Sequence, residues 1–209
     1  MTRRLTTRGQ QRRDQLIGFA TARFAENGFH PTSVTEIVNG LGVGKGVFYW
    51  YFDSKEELFI EILRGAQQDL RRFQEKAIAN EPDPLARIEF GIRASITWLA
   101  GHPDFFTLLQ FAAIDEKFSK LIRLGEEIAV NDVARHIREG IDQGRVDEGD
   151  PVVLGHAILG VTNQLTRVLL FEKKYEPGSV ADTVIRFALG GLRGFSGVIA
   201  AGALSVTST

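Results

Sequence analysis

The chain has 209 residues, enough for one well-buried core or for a small domain joined to a larger one. It contains no cysteine, which excludes a disulfide framework and a thiolate metal site and fits a reducing compartment. No apolar run follows the N-terminal arginines, and Val198–Val206 is too short to span a bilayer. We therefore expect a cytoplasmic protein with no membrane segment.

The net charge of −1 hides an asymmetry between the two parts of the chain. Residues 1–55 hold eight cations against four anions, whereas the remainder carries a net −5. A basic end on an acidic body favours a polyanionic partner for that end, although a solvated, disordered tail is an alternative reading. The eight cations are Arg3, Arg4, Arg8, Arg12, Arg13, Arg23, Lys45 and Lys55.

Apolar residues recur at helical spacing along the chain, and no stretch longer than a few residues alternates as a strand does. The pattern predicts an all-α fold of about nine helices, with the six prolines lying between them. Ser33 with Glu36, and Ser54 with Glu57, have the spacing of capping boxes. The predicted stripes are Leu16-Ile17-Ala20-Phe24, Val34-Ile37-Val38-Leu41, Leu58-Ile62-Leu63, Leu85-Ile88-Ile92-Ile96-Leu99, Leu121-Leu124-Ile128 and Val133-Ile137-Ile141.

A very short connection joins the second and third predicted helices. Between Leu41 and Phe48 there is room only for a tight turn, in which Gly42 and Gly44 provide backbone freedom and Val43 can anchor the turn to the core. Two short helices joined in this way form a helix-turn-helix. In that motif the second helix presents its N-terminal end to the major groove of DNA.

Five consecutive aromatic residues follow this turn. Phe48 and Phe52 are one helical turn apart, so we expect them to close the core of a three-helix head. Tyr49, Trp50 and Tyr51 then point partly outward, because consecutive residues spread around a helix. Outward aromatic side chains on a soluble protein mark a contact site, and on DNA their polar tips would reach phosphates.

Lys55 stands at the first position of the helix that Ser54 caps, where the helix dipole disfavours a cation. A lysine beside a helix N-terminus is explained if an anion binds there, and a DNA phosphate is the natural candidate. A solvated lysine is the alternative. Nearby, Gly46 removes a side chain where the backbone would have to approach the duplex closely.

Residues 24–59 resemble the DNA-binding head of the tetracycline-repressor (TetR) family of bacterial transcription regulators. The resemblance implies a homodimer that binds a palindromic operator, and a C-terminal domain that takes up a small molecule and releases DNA. We accordingly expect a helix-turn-helix domain at 1–55, a helical regulatory and dimerisation domain at 56–199 and a flexible tail at 200–209. The matching residues are Phe24, Gly28-Phe29, Thr32-Ser33, Ile37, Gly42-Val43, Lys45-Gly46, Tyr49, Phe52 and Ser54-Lys55-Glu56.

The same resemblance implies two sets of DNA contacts. Arg12, from the arginine-rich N-terminal part of the chain, is a further candidate. Gly44 stands where the family usually has Ser or Thr, and Val47 where a polar or small residue is common. Valine can touch a thymine methyl but cannot hydrogen-bond a base edge, so Lys45 is the first candidate for direct readout, of guanine. The implied phosphate contacts are Thr32, Ser33, Tyr49, Tyr51 and Lys55, and the implied base or groove contacts are Gly44, Lys45, Gly46, Val47 and Trp50.

The stretch 152–171 is apolar on most sides, which suits a helix buried both in its subunit and against a partner. The resemblance places a four-helix dimer interface on the last two helices, where Gly155, Gly160, Gly190 and Gly191 would allow close approach. The alternative is that these helices are simply inner core helices of one subunit.

A small-molecule pocket is the other expectation for the larger part. Phe90, Ala94 and Trp98 form a second apolar stripe beside the Ile/Leu stripe of the helix that starts near Pro84, so a largely apolar pocket or a tight aromatic core is predicted. Asn163 and Gln164 are candidate polar anchors, or hydrogen-bond partners across a dimer seam. The candidate pocket residues are Phe90, Trp98, Phe106, Gln110, Phe111, Asn163 and Gln164.

Enzymatic function is not indicated. The four histidines have no metal-ligand spacing on one helix, and the adjacent acidic pairs point apart. We expect no catalytic residue, no metal and no cofactor. The function predicted is that of a ligand-responsive regulator, and a ligand-independent architectural protein that binds DNA or RNA is the alternative.

Overall fold

The computed structural model describes residues 6–194. Within this range the chain forms nine α-helices and no strand, so the predicted all-α class is confirmed. The predicted tail at 200–209, the stretch Val198–Val206 and the arginines at 3 and 4 lie outside the described residues. The helices are α1 Thr7–Asn27, α2 Val34–Gly40, α3 Lys45–Tyr51, α4 Lys55–Ile78, α5 Pro84–Ala100, α6 Pro103–Ile114, α7 Ser119–Asp142, α8 Pro151–Leu165 and α9 Pro177–Arg193.

Local sequence signals set most of the helix ends. Proline stands in the first turn of α5, α6, α8 and α9, where its missing N–H has no helical partner to lose. The Ser33 hydroxyl accepts a hydrogen bond from the backbone N–H of Glu36 at 3.1 Å, and Ser54 accepts one from Glu57 at 3.0 Å. Both predicted N-caps are therefore confirmed. At the end of α1, Gly28 has a φ of +87°, a conformation that favours glycine.

The chain divides into two compact units, each with its own core. The first unit comprises α1, α2, α3, α6 and the first part of α4, over residues 6–69 and 102–122. Its centre is aromatic, with Phe29 and Phe59 rings 4.8 Å apart and Phe59 and Phe118 rings 4.6 Å apart. The unit therefore groups α6 with the three-helix head. The predicted division after residue 55, between a DNA-binding domain and a regulatory domain, stays a prediction.

The second unit comprises residues 70–101 and 123–194. Its core joins α5, α7, α8 and α9, and the whole Ile/Leu stripe predicted for α5 is buried. Arg87 ties α5 to α7 by donating to both carboxylate oxygens of Glu139 at 2.8 and 3.1 Å. Next to this pair, burial lowers the pKa of His136. The core residues include Leu85, Ile88, Ile92, Ile96, Ile137, Leu154, Ile158, Val180, Val184 and Leu192.

The structure refines the sequence pattern at two apolar stretches of the chain. The stripes that begin at Leu121 and Val133 belong to one continuous helix, α7. Within it Leu124 is exposed and Ile122 is buried, because the apolar residues near 121–128 allow two overlapping stripes and the core selects the other one. The apolar stretch 152–171 is α-helical only to Leu165 and continues as the π-helical segment Thr166–Glu172.

Candidate nucleic-acid interface

The turn between α2 and α3 uses the backbone freedom of Gly42, as predicted, whereas Gly44 has a φ of −83° that any residue can adopt. Gly42 has a φ of +65°, where a side chain would be strained. The backbone N–H of Val43 donates to the Val38 carbonyl at 2.9 Å, which closes the turn against α2. Gly44 then caps α3 from an extended conformation. The two short helices therefore form a helix-turn-helix.

The aromatic block divides between the inside and the outside of the head, as predicted. Phe48 is 0% exposed and Phe52 1%, whereas Tyr49 is 54% exposed and Trp50 52%. The rings of Phe48 and Phe52 lie 5.7 Å apart in the core. Tyr51 is half-buried, and its ring meets the Trp50 indole edge-on at 4.5 Å. The head thus displays two large aromatic side chains on α3.

The N-terminal end of α3 is open to solvent. Gly44, Lys45 and Gly46 are exposed, and Val47 is half-buried. A methyl group added at Gly44 or Gly46 would meet nothing within 4 Å. Packing within the chain therefore does not require glycine at either position, which leaves close approach to a partner as a reason for their small size. Their contact with DNA stays a prediction.

Lys55 does not have the arrangement expected of a phosphate contact. Its ammonium donates to the carbonyl oxygens of Phe29 at 2.7 Å, His30 at 3.2 Å and Thr32 at 2.8 Å, and it lies 4.3 Å from the centre of the Phe29 ring. An ammonium has three N–H donors, and all three are used. Burial lowers the pKa of Lys55. The lysine joins the α1–α2 connection to the start of α4, and no donor is left for an anion.

Thr32 is also placed differently from the prediction. It is 0% exposed, and its hydroxyl donates to the Gly28 carbonyl at 2.8 Å, so its side chain stabilises the α1–α2 connection and does not reach the surface. Ser33 beside it is exposed, and its oxygen accepts the N-cap hydrogen bond, which leaves the hydroxyl proton for a phosphate. Of this pair, only Ser33 keeps the geometry of a DNA contact.

The basic residues of α1 differ in their partners. Arg13 forms an ion pair with Glu61 of α4, and its guanidinium lies 5.4 Å from the centre of the Phe52 ring. Arg8 is exposed and Arg12 is half-buried. Arg13 therefore serves the packing of the head, whereas Arg8 and Arg12 remain candidates for phosphate contacts.

The predicted pocket residues are divided between the two units. Phe106, Gln110 and Phe111 belong to the first unit, in which Phe111 packs on Phe29 with ring centres 5.8 Å apart. Sequence reasoning missed this packing, because the two residues are far apart in the chain and either could have filled an ordinary core. The other four candidates, Phe90, Trp98, Asn163 and Gln164, belong to the second unit.

Two shallow depressions in the second unit include candidate pocket residues. One, of about 380 Å³, is lined by Phe73, Ala77, Phe90, Arg93, Ala94 and Thr97. The other, of about 350 Å³, is lined by Arg123, Glu126, Glu127, His156, Leu159, Gly160 and Asn163. Trp98 is buried, whereas Asn163 and Gln164 are exposed on α8. Apolar residues form most of the lining of the first depression, whereas most of the residues around the second are polar or charged.

The candidate interface glycines fall into two kinds. Gly155 is buried against α7, and a methyl group there would come within 3.1 Å of the Val130 carbonyl oxygen. Gly160, Gly190 and Gly191 are exposed, with nothing within 4 Å of an added methyl group. Gly155 therefore serves close packing inside the subunit, and the other three lie on the accessible faces of α8 and α9.

Two absences apply to the part of the chain that the structure describes. Across residues 6–194, no helix is long and apolar enough to cross a membrane. Over the same range, no cluster of three or more His, Asp or Glu residues is placed to hold a metal ion.

The chain is also similar in sequence to known proteins. Residues 16–62 match the model of the bacterial regulatory proteins of the tetR family. The chain is 22% identical over 182 residues to the fatty acid metabolism regulator protein of Bacillus subtilis, covering 85% of this chain and 94% of that protein. It is 29% identical over 142 residues to the transcriptional repressor KstR2 of Rhodococcus jostii, covering 66% of this chain and 67% of KstR2.

Solved structures agree with the fold. The fatty acid degradation regulator FadR of Bacillus halodurans superposes with a TM-score of 0.77 at 23% identity, over 91% of this chain and 99% of that one. The helix-turn-helix, the exposed face of α3 and the second helical unit together define a DNA-binding transcriptional regulator. Residues 16–62 match the head of the TetR family, and the chain as a whole is similar in sequence and fold to regulators of this kind.

Proposed function

We propose that the chain is a ligand-responsive repressor that binds a palindromic operator as a homodimer. The observation that carries the proposal is the exposed face of α3, where Lys45, Tyr49 and Trp50 project from a head whose first 55 residues have an excess of four positive charges. Positive charge attracts the phosphate backbone, and the N-terminal part of a recognition helix reads base edges. Lys45 is the proposed reader of guanine.

The proposed dimer interface is formed by the accessible faces of α8 and α9. Phe187 of α9 is 65% exposed, close to the open positions Gly190 and Gly191. A large exposed apolar side chain beside residues that permit close helix approach is a feature of contact surfaces. Two heads held by one such interface would read the two halves of a palindrome.

The proposed effector is small and largely apolar or aromatic. The depression formed by Phe73, Phe90 and Thr97 is the apolar concavity that supports this part of the proposal. Two of the similar proteins are named for regulation of fatty acid metabolism and degradation, so fatty acids are the first compounds to test. Release would follow from preferential binding of the effector to a conformation that does not fit the operator.

Two contacts inside the first unit support a physical connection for that release. Phe111 at the end of α6 packs on Phe29, and Asp115 just beyond it lies 3.4 Å from the His30 imidazole. Both contacts meet the connection that leads into α2. We propose that a displacement of α6 moves the helix-turn-helix through these contacts.

The proposal is tested by selecting duplexes from a random library and measuring affinity for the selected and scrambled sequences. Lys45→Ala should remove most of the difference, because one specific base contact contributes about 1–3 kcal/mol of discrimination. Folding and dimerisation should be unchanged. A chain that enriches no sequence, or prefers RNA, would support the architectural alternative instead.

A further inference from the structure

The outward face of α3 has an arrangement that the proposed function does not by itself explain. In the seven-residue helix KGVFYWY, Gly46 and Trp50 are four apart and lie opposite the buried Phe48. Lys45 and Val47 flank Gly46 on either side. The centre of the exposed face therefore consists of a position without a side chain followed, one turn later, by an indole.

This face has very few groups that can hydrogen-bond a base. The helix contains no Asn or Gln, the residues that pair with adenine, and no Asp or Glu, which accept from cytosine. It also contains no Ser or Thr. Lys45 can donate to guanine, and the phenols of Tyr49 and Tyr51 are the proposed phosphate contacts. One cation alone reads too little of a half-site to specify it.

Apart from the indole N–H of Trp50, the remaining groups on the face are apolar, and they are held in place. The Trp50 indole is 52% exposed, and its contact with the Tyr51 ring at 4.5 Å restricts its orientation. Val47 is half-buried, so one side of its isopropyl group is accessible. The open space at Gly46 allows the helix to come close to the groove floor. In the major groove, the apolar group that distinguishes one base from the others is the C5-methyl of thymine.

We propose that this regulator reads its operator chiefly through thymine methyl groups, which contact Val47 and Trp50 next to the guanine bound by Lys45. The inference rests on the proposed function, and it specifies which chemistry of the operator the head recognises. Each half-site should then contain at least one thymine whose methyl group is required. The adenine that pairs with this thymine should contribute less to recognition than the methyl group does.

The experiment removes or restores single methyl groups in the selected operator. Each thymine of a half-site is replaced in turn by deoxyuridine, which keeps every hydrogen-bonding group and lacks only the C5-methyl. At one or two positions the affinity should fall about fourfold, the effect of losing one methyl-sized apolar contact. At the same positions 5-methylcytosine should bind more tightly than cytosine.

Protein variants assign the effect to the residues. In Val47→Ala, or in Trp50→Ala, the sensitive position should no longer distinguish thymine from deoxyuridine. Tyr49→Phe is the matched control, because it removes an exposed phenol from the same helix. It should weaken binding to all duplexes equally and leave the thymine-to-deoxyuridine ratio unchanged.

The outcomes separate this inference from the function on which it rests. If no sequence is enriched, the proposed operator binding fails. If an operator is selected and binds specifically, but no deoxyuridine substitution changes its affinity, methyl readout is overturned while the proposed function stands. A methyl effect that persists in both alanine variants would also overturn the assignment to Val47 and Trp50.

Discussion

The ammonium of Lys55 lies 2.8 Å from the carbonyl oxygen of Thr32, and the same group also donates to the carbonyls of Phe29 and His30. Lys55 begins α4, whereas the carbonyls belong to the connection that leads into α2. The contact therefore fixes the entrance of the helix-turn-helix against the helix that follows it. Carbonyls in such a connection would otherwise need other partners.

Lys55→Met should destabilise the first unit, because methionine keeps the apolar stem and removes all three hydrogen bonds. We expect the free energy of unfolding to fall by about 1–3 kcal/mol, the range for leaving buried polar groups without partners. Urea unfolding followed by circular dichroism measures this change. Lys45→Met is the control, since Lys45 is exposed, and it should leave stability unchanged.

The same variant distinguishes the structural role of Lys55 from the phosphate contact that its sequence position suggested. A lost phosphate contact lowers the slope of log affinity against log salt by about 0.9. We expect Lys55→Met to keep the slope of the parent protein at temperatures where it is folded. A reduced slope with unchanged stability would restore the phosphate role.

A contact can be predicted from the sequence when its residues are close together in the chain, and it is missed when they are far apart. The caps at Ser33 and Ser54 and the turn at Gly42 depend on neighbours within a few residues, and they were predicted correctly. Lys55 was misread because its partners lie 23 to 26 residues earlier in the chain. Helix position alone suggested an anion, and only the folded connection shows carbonyls at the same place.

The burial of Thr32 has the same explanation. A threonine just before an N-cap serine is compatible with a phosphate contact in any local reading of the sequence. In the fold its hydroxyl reaches the Gly28 carbonyl and its side chain is enclosed. In α7, by contrast, Ile122 and Leu124 are equally apolar, so only packing decides which of them is buried.

The N-terminal arm offers a test of non-specific binding. Thr6 caps α1 by accepting from the Gly9 backbone N–H at 3.2 Å, so a truncation that keeps Thr6 leaves the helix start intact. Removing residues 2–5 deletes Arg3 and Arg4, which we hypothesise lie along phosphates or in a minor groove. Affinity should fall on every sequence, and the salt slope should fall by up to about 0.9 for each lost contact.

A further double variant separates charge from length in this arm. Arg3→Gln with Arg4→Gln keeps the number of residues and should reproduce the loss seen on truncation. Fluorescence anisotropy at several salt concentrations measures both. A truncated protein with the parent salt slope would show that the arm does not contact DNA.

The exposed glycines of α8 and α9 allow folding and dimerisation to be tested separately. Gly160→Arg and Gly191→Arg place a charge on the proposed interface at positions with open space in the subunit. We expect each to weaken the dimer, because burying a charge without a partner is costly, while the folded subunit is kept. Operator binding should fall with the loss of the dimer. Light scattering and circular dichroism measure the two properties.

Gly155→Ala is the contrasting variant. Its methyl group would lie 3.1 Å from the Val130 carbonyl oxygen, so the packing of α8 on α7 must adjust. We expect a loss of about 1–3 kcal/mol in the free energy of unfolding, as for other overpacked cores.

A stable dimer that carries arginine at both 160 and 191 would place the interface on other surfaces.

The effector proposal has an internal reporter, because the two tryptophans lie in different units. Trp50 is on α3, and Trp98 is buried on α5 in the same stripe as Phe90 and Ala94. In a Trp50→Phe variant, all indole emission therefore comes from Trp98. If this stripe lines the effector site, octanoic acid, palmitic acid or an aromatic compound that binds there should change the emission saturably.

Binding alone would not make such a compound an effector. The same concentrations must release operator DNA, because a ligand shifts the conformational equilibrium only by the difference in its affinity for the two states. Phe90→Ala should weaken both responses in parallel, whereas Phe187→Ala, on the exposed face of α9, should leave the emission change intact. A compound that releases DNA while Trp98 emission stays constant would show that the effector binds elsewhere, and the stripe would then be ordinary core.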